Sequence, residues 1–149
     1  MEIQLKSNSV DQTIEIGRGI GSRLKGGEII GLIGQLGSGK THLIKGIACG
    51  IAAESAETVV NSPTFVIVNE YISRLHVYHI DAYRLNSIAE FEMLGFDDYC
   101  RSDSVVLIEW ADRVESALAG IKFIRIELSH LGPNERAIHI INAPEYLAE

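Results

Sequence analysis

One eight-residue run limits what this chain can fold into more than any other feature. Gly34-Gln35-Leu36-Gly37-Ser38-Gly39-Lys40-Thr41 matches G-x-x-x-x-G-K-[ST] without a substitution. The apolar stretch Ile29-Ile30-Gly31-Leu32-Ile33 precedes it and reads as a buried strand. Leu43, Ile44, Ile47 and Ala48 follow at helical spacing, predicting a helix to about Ile51. Strand, glycine loop and helix in this order let backbone N–H groups and the positive end of the helix dipole converge on a phosphate. In that arrangement Lys40 reaches the β- and γ-phosphates and the Thr41 hydroxyl ligates Mg²⁺. The chain is therefore expected to be an α/β protein that binds a nucleotide.

The rest of the sequence sets the frame. At 149 residues, one domain covering 1–149 is expected. Apolar residues make up 46% and charged residues 22%, the balance of a globular domain. No apolar run nears the roughly 18 residues of a membrane span, and Met1-Glu2-Ile3-Gln4-Leu5-Lys6 lacks a signal-peptide core, so a cytoplasmic protein is expected. Cys49 and Cys100 have no metal-ligand spacing; both read as free thiols, Cys49 as a small buried helix residue. A net charge of −7 and the lack of a Lys/Arg cluster argue against a large nucleic-acid surface, so any RNA would be contacted through a partner.

Ile3 and Leu5 alternate with polar neighbours as a short strand does. Ser9 or Asp11 can cap a helix with Ile14, Ile16 and Ile20 on its apolar face, although Gly17, Gly19 and Gly21 weaken that reading. Phe65–Ile72 and His76–Ala82 read as a hairpin, making the sheet mixed. A short helix over Ile88–Leu94 ends at Gly95, Val105–Ile108 reads as a central strand, and Ala111–Leu118 as a helix. Ile121–Leu128 and Ala137–Ile141 close the chain around a turn at Gly132-Pro133-Asn134.

Several residues could complete a nucleotide site. Glu109 ends the strand Val105–Ile108, where a second metal acid is needed; its other reading is a solvated strand end. Trp110 either shapes the nucleotide pocket or is a core-edge aromatic. Asp81 ends the strand Val77-Tyr78-His79-Ile80, and serves metal, water or base chemistry, or else a cap or an ion pair with Arg84. His79 fits a hydrogen-bonded buried histidine, and Thr64 a switch-loop hydroxyl or a turn residue.

Four motifs stand together in order: Gly34 to Thr41; Ser62-Pro63-Thr64-Phe65 with Asn69-Glu70-Tyr71; His79-Ile80-Asp81-Ala82-Tyr83-Arg84-Leu85; and Ile108-Glu109-Trp110 with Asp112-Arg113. From about Ile3 to Ile141 the chain resembles the bacterial TsaE (YjeE) family. The resemblance implies a P-loop NTPase-like three-layer α/β/α fold with a mixed parallel/antiparallel sheet. It implies ATP hydrolysis with Mg²⁺ in support of the TsaB–TsaD heterodimer, which forms N6-threonylcarbamoyladenosine at position 37 of tRNA. It assigns nucleotide binding to Gln35, Leu36, Gly37, Ser38, Gly39, Lys40, Thr41, His42 and Trp110, and the metal to Thr41 and Glu109 with Thr64 beside it. Lys40 and Asp81 take the catalytic positions. Ala111, Gln35 and His42 depart from the commoner family residues without touching that chemistry.

Two other readings remain at this level. One is a nucleotide-dependent binding module with incidental hydrolysis. The other is a small-molecule kinase, against which stands the lack of an arginine-rich lid segment. No Asn/Thr-Lys-x-Asp run that reads guanine occurs.

Overall fold

The chain begins with β1 (Ile3–Ser7), which leads into α1 (Val10–Arg23). Ser9 caps α1, its side chain accepting from the Gln12 N–H at 3.0 Å, so Ser9 rather than Asp11 starts the helix. The computed structural model describes residues 1–52, 59–60 and 67–148, with the backbone alone for Val59 and Val60. β2 (Ile29–Gly34), the glycine loop and α2 (Lys40–Ala52) follow. Next come β3 (Val59–Val60), β4 (Val68–Ile72) and β5 (His76–Asp81), then α3 (Ile88–Met93) and α4 (Phe96–Tyr99). β6 (Ser104–Glu109), a kinked 3-10 segment over Ala111–Leu118, β7 (Ile124–His130) and β8 (Arg136–Ile141) complete the framework.

Among the described residues, eight strands form one sheet in the order β1-β8-β7-β2-β6-β5-β4-β3. β2 runs parallel to β6 and β7, and β5 parallel to β6, whereas β1–β8, β7–β8, β4–β5 and β3–β4 are antiparallel. The sheet is mixed, as the Phe65–Ile72 and His76–Ala82 pattern predicts; of that first run, 65 and 66 lie outside the described residues. Strand alternation splits the apolar side chains between two cores. Ile30, Leu32, Val77, Val105, Leu107, Ile126 and Ile138 pack under α1 and α2. Tyr78, Ile80, Val106 and Ile108 pack with Phe91, Phe96, Val114 and Leu118 on the other side. The result is a three-layer α/β/α fold.

The glycines of α1, which weaken its sequence signal, turn out to be its packing surface. The buried stripe of α1 runs Thr13, Gly17, Ile20, Gly21, while Ile14 and Ile16 are only half-buried. A Cβ at Gly17 would stand 2.5 Å from the Leu43 carbonyl oxygen, and one at Gly21 would overlap that of Ile47. From the other side, a Cβ at Gly46 or Gly50 would overlap the carbonyl of Ile14 or Arg18. Helix propensity is traded here for close approach of two backbones, and tertiary packing wins.

Three further local expectations are revised. The helix at Ile88 does not end the segment: Gly95, at φ 77°, redirects the chain into α4. The Ala111–Leu118 segment is 3-10 rather than α, broken at Val114. Both cysteines are free thiols, but Cys49 is half-buried and Cys100 exposed. No helix among the described residues is long and apolar enough to cross a membrane.

Candidate functional site

The parallel strands β2, β5 and β6 deliver their carboxyl ends to one edge of the sheet, where α/β folds bind ligands. Gly34 closes β2, and a Cβ there would meet the Ser38 Oγ at 2.5 Å and the Leu128 carbonyl at 2.7 Å. Gly37 and Gly39 take φ values of 77° and 102°, the left-handed region that favours glycine. The loop thus folds back on itself, with the Ser38 N–H donating to the Gln35 carbonyl at 3.0 Å, and α2 starts at Lys40. The first N–H groups of such a helix lack intrahelical partners.

Lys40 is buried and turned inward. Its Nζ donates to the carbonyls of Gly34 at 2.5 Å and Gln35 at 2.9 Å and to the Ser38 Oγ at 3.3 Å. It also sits 3.7 Å from the centre of the Trp110 ring. Burial holds the ammonium below the usual lysine value, opposed by the charges of Glu109, Asp112 and Asp81. Trp110 itself has φ 61°, uncommon for a bulky residue, at the exit of β6. That conformation seats its ring between Lys40 and Tyr83, the Tyr83 ring 4.9 Å away.

Glu109 ends β6, with its side chain 12% exposed. Oε1 lies 3.1 Å from His79 Nε2, and Oε2 accepts from the Thr41 hydroxyl at 3.4 Å. Burial pushes the Glu109 carboxyl up, but the hydrogen bond and charge of His79, the Lys40 charge and the Thr41 hydroxyl together bring it below the ordinary value. Glu109 is therefore a carboxylate at neutral pH, not a solvated strand end.

A cavity of about 180 Å³ opens over these groups. Leu36, Gly37, Gly39, Lys40, Thr41, His42, Glu109 and Trp110 form one wall. Ser9, Val10 and Thr13 from the start of α1, with Pro133, Asn134 and Arg136 from the β7–β8 turn, form the other. Arg136 ties that turn to the loop, donating to the carbonyls of Gly132 at 3.1 Å, Glu135 at 2.9 Å and Gly37 at 3.3 Å.

Not every expected residue lines this space. Gln35 offers its carbonyl to Lys40, and Ser38 is buried beneath the loop. Asp81 is level with Glu109 on the neighbouring strand, yet its carboxylate accepts from the Tyr83 N–H and from Arg84 Nε, each at 3.2 Å. Both bland readings of Asp81, cap and ion pair, are thus realised in this structure. Thr64 lies outside the described residues. The second wall escapes sequence reading, because Ser9 signals only a cap and Pro133-Asn134 only a turn. Nothing local in either segment says that they line one cavity.

This geometry joins a matching sequence signature. A sequence model of the family "TsaE: Threonylcarbamoyl adenosine biosynthesis protein TsaE" covers residues 7–138. The chain belongs to the TsaE family. The tRNA threonylcarbamoyladenosine biosynthesis protein TsaE of Bacillus subtilis is 38% identical over 138 residues, 91% of this chain and 84% of that protein. Its counterpart in Treponema pallidum is 35% identical over 134 residues, 90% and 96% of the two chains. The crystal structure of Bacillus subtilis YdiB superposes with a TM-score of 0.75 at 29% identity, covering 94% of this chain and 84% of that one. Membership in the TsaE family gives the chain a P-loop NTPase-like fold, a nucleotide-binding, ATPase-like function and a role in threonylcarbamoyladenosine formation on tRNA.

Proposed function

We propose that this single domain binds ATP with Mg²⁺ in the cavity under Trp110 and hydrolyses it in the cytoplasm, in support of a TsaB–TsaD complex that forms N6-threonylcarbamoyladenosine at position 37 of tRNA. The observation that carries this reading is the convergence of Lys40, Thr41, Glu109 and Trp110 on one cavity at the carboxyl edge of the sheet. The donor set fits the ion. Among the described residues no group of three or more His, Cys, Asp and Glu side chains gathers to hold a metal. One hydroxyl and one carboxylate suit Mg²⁺, which keeps several waters and takes further oxygens from phosphates. Thr41 and Glu109 would hold it, with Thr64 in the segment after α2, and its charge would offset that developing on the phosphates.

The chain's own groups do the rest. Lys40 gives up the Gly34 and Gln35 carbonyls for phosphate oxygens, and the loop from Gln35 to His42 presents its N–H groups around them. The base and sugar extend toward Ser9, Val10 and Asn134, beside Trp110. Asp81 orients the attacking water and takes its proton at the carboxylate, exchanging part of its hold on Tyr83 and Arg84 for that contact. The net charge of −7 supports contact with tRNA through the protein partners.

Phosphate release from ATP, measured with and without purified TsaB–TsaD, tests the reading. We expect slow turnover alone, acceleration with the pair, and a K40A rate lower by about a hundredfold or more. A K40A variant that hydrolyses at the parent rate overturns it.

A further inference from the structure

His79 is not among the residues that line the cavity and is 9% exposed. We propose that it is the positioning residue for Glu109: its Nε2–H anchors Oε1 and leaves Oε2 aimed at Thr41 and the cavity. This inference rests on the reading of Glu109 as a metal ligand.

The sheet register makes the pairing possible. In the parallel β5–β6 pair, His79 stands opposite Leu107 and Asp81 opposite Glu109. His79 and Glu109 therefore share the face that carries Val77, Val105 and Leu107 under α2, one pleat repeat apart. The imidazole reaches diagonally along that face to the carboxylate, 3.1 Å from Nε2 to Oε1, with both side chains nearly buried.

The proton on the imidazole is placed by what surrounds it. Nδ1 is buried with no hydrogen-bond partner among the described residues. A proton there would be a stranded donor, and the bare Nε2 lone pair would face a carboxylate that only accepts. A proton on Nε2 removes both costs. The backbone of His79 is held by β4 and β6 on either side, since it pairs with Asn69 as well as Leu107. A donor fixed in the sheet thus sets the rotation of a carboxylate at the sheet's edge.

A purely structural pair would leave no spare acceptor. Among the described residues, Glu109 Oε2 instead has only the long 3.4 Å contact with Thr41. Outer partners of this kind fix the orientation of a ligating carboxylate, and their removal costs metal affinity.

The test is calorimetric titration of a non-hydrolysable ATP analogue in Mg²⁺ and in EDTA, for the parent, H79L, H79Q and E109Q. The ratio of the two affinities is the gain conferred by the metal. We expect H79L to cut that gain by about tenfold or more while the EDTA affinity stays within about twofold. H79Q, whose amide nitrogen can stand in place of Nε2, recovers most of it. A gain in H79L within about twofold of the parent overturns the inference while E109Q loses it. If E109Q keeps the gain as well, the ligand reading of Glu109 falls, and the inference with it. Nitrogen NMR of the parent imidazole, assigned by the signal missing in H79Q, gives a second arm that needs no altered fold: an Nε2–H tautomer is expected, and an Nδ1–H tautomer overturns the inference even if H79L does not fold.

Discussion

Glu28 enters β2 at one edge of the sheet, and Glu109 leaves β6 at the other. Glu28 is buried and Glu109 half-buried, each beside a central strand, yet their oxygens are used differently. Glu28 accepts from the Lys25 N–H at 2.8 Å, the Gly26 N–H at 2.7 Å and the Tyr146 hydroxyl at 2.7 Å. Lys25 in turn lies over the Tyr146 ring, 4.4 Å from its centre. Tyr146 thus covers this carboxylate from the segment after β8. Among the described residues Glu109 has one firm partner, His79, and one oxygen left for the cavity. A buried carboxylate with its acceptors filled holds the fold together. One with an acceptor to spare, beside a lysine and a hydroxyl, has what the role proposed for Glu109 requires.

Substitutions at the two ends separate these roles. E109Q is expected to have the largest effect, lowering ATP hydrolysis by about a hundredfold with little change in the unfolding midpoint. Phosphate release and thermal unfolding on the same preparation check it, and a large loss of stability in E109Q breaks the contrast. E28A should do the reverse. It strands two N–H groups and a tyrosine hydroxyl, costing about 2–4 kcal/mol in urea unfolding with nucleotide affinity unaltered. Y146F removes one bond to a charged acceptor and should cost about 1–2 kcal/mol.

The smallest effect is in alkaline solution. Burial, then the hydrogen bond to Glu28 and its charge, push the Tyr146 hydroxyl up to about 12 from 10.0. The folded state holds this proton more tightly than the unfolded chain, so the contribution is whole below the ordinary tyrosine value and is lost as pH climbs toward about 12. The gap in urea midpoint between the parent and Y146F should narrow over that range. A gap that stays constant would mean that the Tyr146–Glu28 bond contributes nothing.

Patterns confined to one segment were legible in advance. The glycine loop, its flanking strand and helix, the central Val105–Ile108 strand and the closing hairpin all announce themselves through periodicity and turn chemistry. The α1 glycines misled, because a local helix scale counts their entropy and not the neighbouring helix that needs them. Glu109 is a candidate by its place after an apolar strand, and the same rule makes Asp81 a candidate too. The structure separates the two: Asp81 is bonded to Tyr83 and Arg84, whereas Glu109 faces Thr41. His79 was visible only as a buried histidine, since its partner is thirty residues away.

By itself, then, the sequence determined the phosphate loop, the mixed α/β architecture and the family, because each is written in residue types at fixed spacing along one stretch of chain. The tertiary structure decided how the site is built. It brought Ser9 and Asn134 to the far wall of the cavity, seated Trp110 beneath Lys40, and turned His79 toward Glu109. Those contacts depend on strand register and on the hand of the connections, which no single stretch of residues encodes.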